Sequence, residues 1–318
     1  MNLLVSIPCL NEAATLAGVI QRIPREIEGF GRVDVLVVDD GSADESAAVA
    51  RAAGAHVLSH GANRGVGASF QTALDHAVTG RYDVLVTVDA DGQFAPEDIP
   101  RLTAPIVADE ADFVTASRFV DPARAPSMPS IKRWGNARMA GLVSRLTGQT
   151  FYDVSCGFRA YGREAMLNLN LHGDFTYTQE TFLQLSFKRL RLREVPVDVT
   201  YFDGRVSRVA NSIPRYAVKT LAIILTVYRD YRPIRFFWWL AAGFTLSGCG
   251  VASIMLVHYL RTGRFYGQLW SGLTGGFLVM VGLVLFVVGV VADLLDRVRR
   301  NQERMLYHMK RDGPPPRG

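Results

Sequence analysis

The sequence predicts an α/β fold with a mostly parallel sheet, followed by amphipathic juxtamembrane helices and a two-helix transmembrane hairpin. Three observations predict it. Short apolar runs alternate with helical stretches from residue 2 to about residue 205, the pattern of a parallel sheet with crossover helices. One run, Val84-Leu-Val-Thr-Val88, is apolar or β-branched throughout and ends in Asp89-Ala-Asp91, so it reads as a buried central strand with carboxylates at its carboxyl end. Farther on, residues 236–260 and 265–292 hold no Asp, Glu, Lys or Arg, and both stretches exceed the roughly 20 apolar residues that cross a hydrocarbon core.

Taken in order, residues 2–7 form the first strand, and Asn11-Glu-Ala-Ala-Thr-Leu16 opens the first helix. Residues 33–38 form the second strand, which ends in Asp39-Asp-Gly-Ser42, and Asp44 caps a helix over 45–53. A short strand at 55–59 and a helix at 65–78 precede the central strand. After it, Pro96-Glu-Asp98 places a proline and two acids in the first turn of a helix, where both are favoured. A strand at 113–116 leads into Ser117-Arg-Phe119, and the Pro-rich stretch 121–129 reads as a mobile loop. Residues 131–147 predict an amphipathic helix with Trp134, Met139, Leu142 and Leu146 apolar and Lys132, Arg133, Arg138 and Arg145 basic. Such a helix suits an anionic membrane surface, and equally suits an ordinary domain surface. Residues 212–232 repeat the theme and lead into the membrane segments. The predicted units are therefore 1–211, a juxtamembrane helix at 212–235, a hairpin at 236–292 with spans near 236–260 and 268–292, and a basic tail at 293–318 that is Pro-rich from 311 onward.

Charge and cysteine usage narrow the function classes. Of 35 basic residues 31 are Arg, which favours phosphorylated partners because the guanidinium grips phosphate in a planar fork, although genomic composition explains the bias equally well. No basic stripe is interleaved with aromatics, which argues against nucleic acid. The three cysteines, Cys9, Cys156 and Cys249, show neither metal spacing nor a disulfide framework, and the N-terminus has no signal-peptide pattern. Arg229, Arg232 and Arg235 precede the first span and Arg297, Arg299, Arg300 and Arg304 follow the second, against Arg261 and Arg264 between them. The positive-inside rule then puts the large domain and the tail in the cytoplasm of a multi-pass inner-membrane protein. Small residues such as Gly243, Gly248, Gly250, Gly275, Gly276 and Gly282 allow close helix packing and a homo-oligomer.

Parallel strands bring their carboxyl ends to one edge, where open α/β sheets bind ligands. There Asp89, Asp91 and the Gln93 amide supply hard oxygen ligands for Mg2+ or Mn2+ bridging a diphosphate, while a bare Asp-x-Asp also fits a turn with solvated acids. The loops Pro8-Cys-Leu-Asn-Glu12 and Asp39-Asp-Gly-Ser42 fall on the same edge, and their acids suit the hydroxyls and base of a nucleotide. Asn63-Arg-Gly-Val-Gly67 fails as a dinucleotide fingerprint, because Phe70 stands where the third glycine belongs.

Together with Ser117-Arg-Phe119 and Asp153-Val-Ser-Cys-Gly-Phe-Arg-Ala-Tyr161, these motifs stand in the order found in inverting family 2 glycosyltransferases. More narrowly the chain resembles the dolichyl-phosphate-mannose synthase and polyprenyl-phosphate glycosyltransferase branch over about residues 2–210. That resemblance implies a GT-A fold and hexose transfer from a nucleotide diphosphate sugar, GDP-mannose or UDP-glucose, to a polyprenyl phosphate. It implies that Pro8, Glu12, Asp39, Ala90, Asp91 and Gln93 hold the donor, and that Asp89, Asp91 and Gln93 hold the metal. Arg118, Lys132 and Asn136 fall at acceptor-phosphate positions, where the family usually has Arg and Ser at the last two. Arg205 and Arg208 resemble a shortened loop that closes over the donor diphosphate.

The implied nucleophile is a phosphate oxygen, already ionised near neutral pH because a second phosphate pKa lies near ~6, so no general base is required. Asp153 and Glu180 either orient the sugar or pair with a nearby Arg. A processive polysaccharide synthase is the nearest alternative, but Arg133-Trp134 lacks the preceding Gln of those enzymes, Ser130 standing in its place. A non-catalytic lipid-binding scaffold is another, and the intact Asp89 and Asp91 weigh against it.

Overall fold

The computed structural model describes residues 1–121, 123, 128, 130–171, 177–200 and 213–312, with side chains for all of these except 131, 132, 213–217, 219 and 220. Arg205 and Arg208 therefore lie outside the described residues, as do the side chain of Lys132 and most of the loop expected at 121–129. The chain forms two compact units, one of Met1–Ile224 joined by the C-terminal stretch from Met305, the other Leu225–Arg304.

The first unit holds a seven-stranded sheet in the order β3-β2-β1-β4-β6-β5-β7. Its strands are β1 (Asn2–Cys9), β2 (Arg32–Asp39), β3 (His56–Ser59), β4 (Val84–Thr87), β5 (Phe113–Ser117), β6 (Arg159–Gly162) and β7 (Leu192–Pro196). The helices are α1 (Ala13–Gln21), α2 (Ser46–Ala52), α3 (Val66–Thr79), α4 (Ile99–Val107), α5 (Ser130–Thr147), α6 (Arg163–Asn168), α7 (Thr178–Phe187) and α8 (Ile213–Tyr231), the last running beyond Ile224. β1, β2, β3 and β4 are mutually parallel, as the apolar runs require. β6 enters between β4 and β5 and is antiparallel to both, and β5 then pairs with β7 in parallel. The sheet is thus mostly parallel, with one reversed strand that carries the 153–161 motif into its centre.

Alternation explains the packing. Leu3, Val5 and Ile7 of β1 and Val84 and Val86 of β4 join one core with Leu16, Val19 and Ile20 of α1 and Ile99, Leu102 and Ile106 of α4. On the aromatic side, Phe70 of α3 stacks on Tyr177 at 4.1 Å and meets Tyr161, which in turn meets Phe113. Residues flanked by helices on both faces of a sheet have no polar side to show, which is why β4 is buried at every position.

Two local expectations change. The first helix opens at Ala13 rather than Asn11, because Asn11 is left-handed (φ 52°) and is spent bonding the β2–α2 loop. Asp44 stands one residue before the N-cap position of α2, where its carboxylate accepts from Ser46 and from the Ala13 backbone.

The second unit contains α9 (Pro233–Thr262) and most of α10 (Leu269–Asp312), the two helices long and apolar enough to cross a membrane. Leu246, Leu260 and Leu273 are each about 70% exposed, so these surfaces have no protein partner among the described residues and suit lipid. Glycine sets their contact: a Cβ on Gly248 would stand 2.7 Å from the Gly275 carbonyl, and one on Gly289 2.7 Å from Phe237 Cβ. Gly275, Gly282 and Gly289 recur every seventh residue and are buried, the spacing of a coiled seam. Gly243, Gly250 and Gly276 instead face open space. α10 continues beyond the apolar run, so Arg311 and Asp312, expected in a Pro-rich tail, are helical; residues 313–318 lie outside the described set.

Candidate active site

Loops at the carboxyl ends of β1, β2 and β4 are knitted together before any ligand is considered. The Asn11 amide N–H donates to Ser42 Oγ (2.9 Å), and Asn11 Oδ1 accepts from the Ala43 amide (2.7 Å). Glu12, at the N-cap position of α1, donates its backbone N–H to Ser46 Oγ. Thr15 Oγ1 donates to the Ala90 carbonyl (2.8 Å), fixing α1 against the Asp89–Asp91 turn.

The two acids after β2 separate into different roles. Asp40 accepts from the Arg64 and Gly65 amides and from His60 Nδ1, so it anchors the loop into α3. Asp39, the last residue of β2, is oriented by the Ser42 amide (3.0 Å) and Ser59 Oγ (3.1 Å) at the carboxyl end of that strand. Gly41 between this pair and the next loop has φ 78°, and a Cβ there would sit 2.6 Å from the Ala62 backbone, so only glycine fits.

At the end of β4, Gly92 (φ 72°) turns the chain and Asp91 Oδ1 accepts from the Gln93 amide at 3.0 Å. Thr87 Oγ1 donates to the Gly157 carbonyl, drawing the 153–158 loop under Asp89. A Cβ on Gly157 would lie 3.2 Å from both Asp89 carboxylate oxygens. Burial, and then the neighbouring Asp91, push the Asp89 carboxyl up to about 6, while Arg118 and Arg159 pull the other way.

These residues fit a hard divalent cation. Two carboxylates that raise each other's cost of ionisation are relieved by a dication, and oxygen is its preferred ligand. Among the described residues no group of three His, Cys, Asp or Glu is placed to hold a metal. Asp89 and Asp91 are the residues that would hold it. Pro8 lies near the end of β1, beside Val38, and Glu12, Ala90 and Gln93 lie on the two loops that Thr15 joins.

Opposite in charge is the network built on Arg118, which follows β5. Its Nε and Nη2 donate to Asp153 Oδ2 (2.6 Å) and Oδ1 (3.0 Å), and Nη2 also donates to Ser155 Oγ (2.8 Å). Burial alone would raise the Asp153 carboxyl, but the Arg118 charge and hydrogen bonds outweigh it and hold it below the ordinary range. Asn136 joins the same network, its Oδ1 2.9 Å from Ser155 Oγ and its Nδ2 donating to the Tyr152 carbonyl. Two of the three expected acceptor residues, Arg118 and Asn136, thus meet at Ser155, and Lys132 belongs to the first turn of α5, the same helix as Asn136. The fork of Arg118 is occupied by the Asp153 carboxylate, so this acid makes the pairing that was one of the two expectations for it. Glu180 accepts from Gln184 Nε2 within α7.

Sequence reasoning missed two supports. Glu194 of β7 accepts from the Tyr152 and Asp153 amides (2.9 and 2.8 Å), and burial raises its carboxyl. Arg159 is fully buried under Phe113, Tyr177 and Phe182 and donates to the carbonyls of Val154, Cys156 and Thr178. Its place inside the 153–161 motif was the available signal; a buried guanidinium solvated by carbonyls leaves no periodicity to read.

A family model described as glycosyl transferase family 2 matches residues 4–169. The chain is 27% identical to the glycosyltransferase AglJ of Haloferax volcanii over 95% of this chain and 96% of that one. It is 30% identical to a polyprenol monophosphomannose synthase of Mycolicibacterium smegmatis, covering 69% of this chain and 85% of the relative. It is also 27% identical to a UDP-N-acetylglucosamine–dolichyl-phosphate N-acetylglucosaminyltransferase of Methanococcus voltae, over 64% and 88% of the two chains. Among solved structures, glucosyl-3-phosphoglycerate synthase from Mycobacterium tuberculosis, in complex with Mn2+, UDP and glucosyl-3-phosphoglycerate, superposes with a TM-score of 0.54 at 20% identity, over 71% of this chain and 79% of that one.

Proposed function

The chain belongs to glycosyl transferase family 2, and from that premise we propose that it transfers a hexose, with inversion, from a nucleotide diphosphate sugar to a polyprenyl phosphate at the cytoplasmic face of the inner membrane. Relatives whose names specify polyprenol or dolichyl phosphate support the acceptor class, and two apolar helices supply the anchor that a lipid substrate calls for. The observation that carries the reading is the opposition of Asp89 and Asp91 to the Arg118 network across the same sheet edge. An acidic pocket collects a metal-bound diphosphate, and a fixed guanidinium collects a second phosphate.

In this reading Asp39 and Glu12 bind the nucleoside, and Asp89, Asp91 and Gln93 would hold Mg2+ or Mn2+, which would supply charge neutralisation of the leaving diphosphate. Arg118, Lys132 and Asn136 receive the acceptor phosphate, and Arg205 and Arg208 cover the donor. An acceptor oxygen forms the new bond to the anomeric carbon as the bond to the nucleoside diphosphate breaks. The acceptor phosphate is already ionised, so no side chain must take a proton, and the Asp153 carboxylate is instead bonded to Arg118. Catalysis then rests on positioning and on preorganised charge. Asp153, itself held by Glu194, fixes Arg118 in advance, which lowers the ordering cost when a phosphate arrives.

The test is turnover of GDP-mannose, UDP-glucose and UDP-N-acetylglucosamine with undecaprenyl phosphate and Mn2+, read by mass spectrometry of the lipid fraction. One hexose added per lipid phosphate is expected from one of the donors. A lengthening polymer, or donor binding without product from any of them, would overturn the reading.

A further inference from the structure

The end of α10 returns to the catalytic unit and grips it at a definite place. Tyr307 Oη lies 3.0 Å from both carboxylate oxygens of Glu164, in the first turn of α6. One turn on, Lys310 Nζ donates to the Leu169 carbonyl (2.7 Å) and to Asn170 Oδ1 (2.9 Å), where α6 has just ended. Lys188 Nζ donates to the Asn168 carbonyl beside it, so two ammonium groups satisfy the last carbonyls of α6.

Asn170 does not stop the chain of contacts. Its backbone N–H donates to Gln184 Oε1 (3.2 Å), and its carbonyl accepts from Gln184 Nε2 (2.7 Å). The same Nε2 donates to Glu180 Oε1 at 2.9 Å. Gln184 and Glu180 are both almost fully buried in α7. The first turn of α7 is in turn bound by Arg159, which donates from Nη1 to the Thr178 carbonyl and also holds the loop under Asp89. A single path of hydrogen bonds therefore runs from a half-buried lysine in the last turns of α10 to a buried acid whose helix is tied through Arg159 to the loop under Asp89.

We propose that the last turns of α10 act as a strap that fixes α7, with Lys310 a positioning residue that acts on Glu180 through Asn170 and Gln184. A strap of this kind makes the catalytic unit complete only when the far end of the chain has docked, which ties activity to correct formation of α10. The effect on transfer rests on the function proposed above, whereas the effect on α7 does not.

The experiment uses the full chain in detergent and compares Lys310→Met, Lys310→Arg, Asn170→Ala, the Lys310→Met/Asn170→Ala double variant and Arg304→Gln. Amide hydrogen exchange across residues 178–187 should quicken about tenfold in Lys310→Met, the effect of losing a charge-assisted hydrogen bond from a locally opening segment. Lys310→Arg should restore protection, and Arg304→Gln should match wild type. With the donor chosen from the panel above and undecaprenyl phosphate, kcat should fall in Lys310→Met while the donor KM stays within about twofold. The double variant should be no worse than the poorer single one, since both cut the same path. Unchanged exchange over α7 in Lys310→Met, equal loss in Arg304→Gln, or additive losses in the double variant would each overturn the proposal. If no donor is turned over, the exchange measurements still decide the strap, and the failure falls on the proposed function alone.

Discussion

Replacing Asp89 by Asn should stabilise the metal-free protein while removing its function. The Asp89 carboxyl stands at about 6 in the folded chain against an ordinary value of 3.8, because burial and Asp91 both oppose its charge. At about 1.36 kcal/mol per pH unit, keeping it ionised costs the folded state about 3 kcal/mol. Since the folded value is the higher one, this group's contribution to stability is intact below pH 3.8 and is lost as pH rises through about 6. An amide in its place carries no charge to lose. At pH 7.5, without metal, Asp89→Asn should therefore exceed wild type by up to about 3 kcal/mol, or about 6–12 °C in Tm for a unit of this size. The gap should shrink to about half at pH 5. The assay is thermal unfolding in detergent after chelation, repeated across pH and with added Mn2+, which should raise the wild-type Tm and leave the variant unmoved. Equal Tm values at pH 7.5, or a gap that persists undiminished toward pH 4, would refute the account of Asp89 as a carboxylate that bears strain for the sake of a cation.

Other outcomes follow from the same geometry. Gly157→Ala drives a Cβ to 3.2 Å from both Asp89 oxygens, so Mn2+ affinity measured by calorimetry should drop about tenfold, at an overpacking cost of about 1–3 kcal/mol; unaltered affinity would place the metal elsewhere. Asp153→Asn strands the Arg118 guanidinium and should cost about 3–5 kcal/mol at neutral pH. Because the folded Asp153 carboxyl lies below its ordinary value of 3.8, that contribution should fade only as pH falls below about 4, and the alkaline side of the kcat/KM profile should keep its shape, since Asp153 takes no proton. In a Cys249→Ala background, an external thiol reagent on intact cells should label Arg264→Cys and miss Arg304→Cys; the reverse would invert the topology.

Legibility followed the physics of each element. β1, β2 and β4 could be read because the stretches covered on both faces, Leu3–Val5, Val35–Val38 and Val84–Val86, are runs of apolar residues. β7 alternates charges at the sheet edge, and Arg159-Ala-Tyr-Gly162 opens with a buried cation, so neither announced a strand. α7 escaped for the opposite reason: residues 179–186 are all buried, Gln179, Glu180 and Gln184 among them, and a helix without a wet face shows no 3.6-residue period.

The site shows where such reading stops. Residue type reports what a side chain can bind, and partner choice depends on which groups the fold places within reach. Asp39 and Asp40 are adjacent and identical, yet one is held by the Ser42 amide and Ser59 Oγ and the other by His60 and two amides of the loop into α3. Sequence reading gave Arg118 as an expected phosphate ligand, but its pairing with Asp153 depends on β6 running antiparallel, which brings a segment 35 residues later alongside β5. That pairing changes the chemistry of the residue. A guanidinium already neutralised by a buried carboxylate attracts a phosphate less strongly than a bare one, and in return it holds its orientation. Asp89 presents the converse, a buried carboxylate whose neighbour Asp91 opposes its charge and whose two nearby guanidinium groups do not make up the difference. The Asp153 carboxyl is therefore held low by Arg118 while the Asp89 carboxyl is held high by burial and Asp91, so in the reading proposed above a cation at Asp89 would relieve more than a phosphate at Arg118.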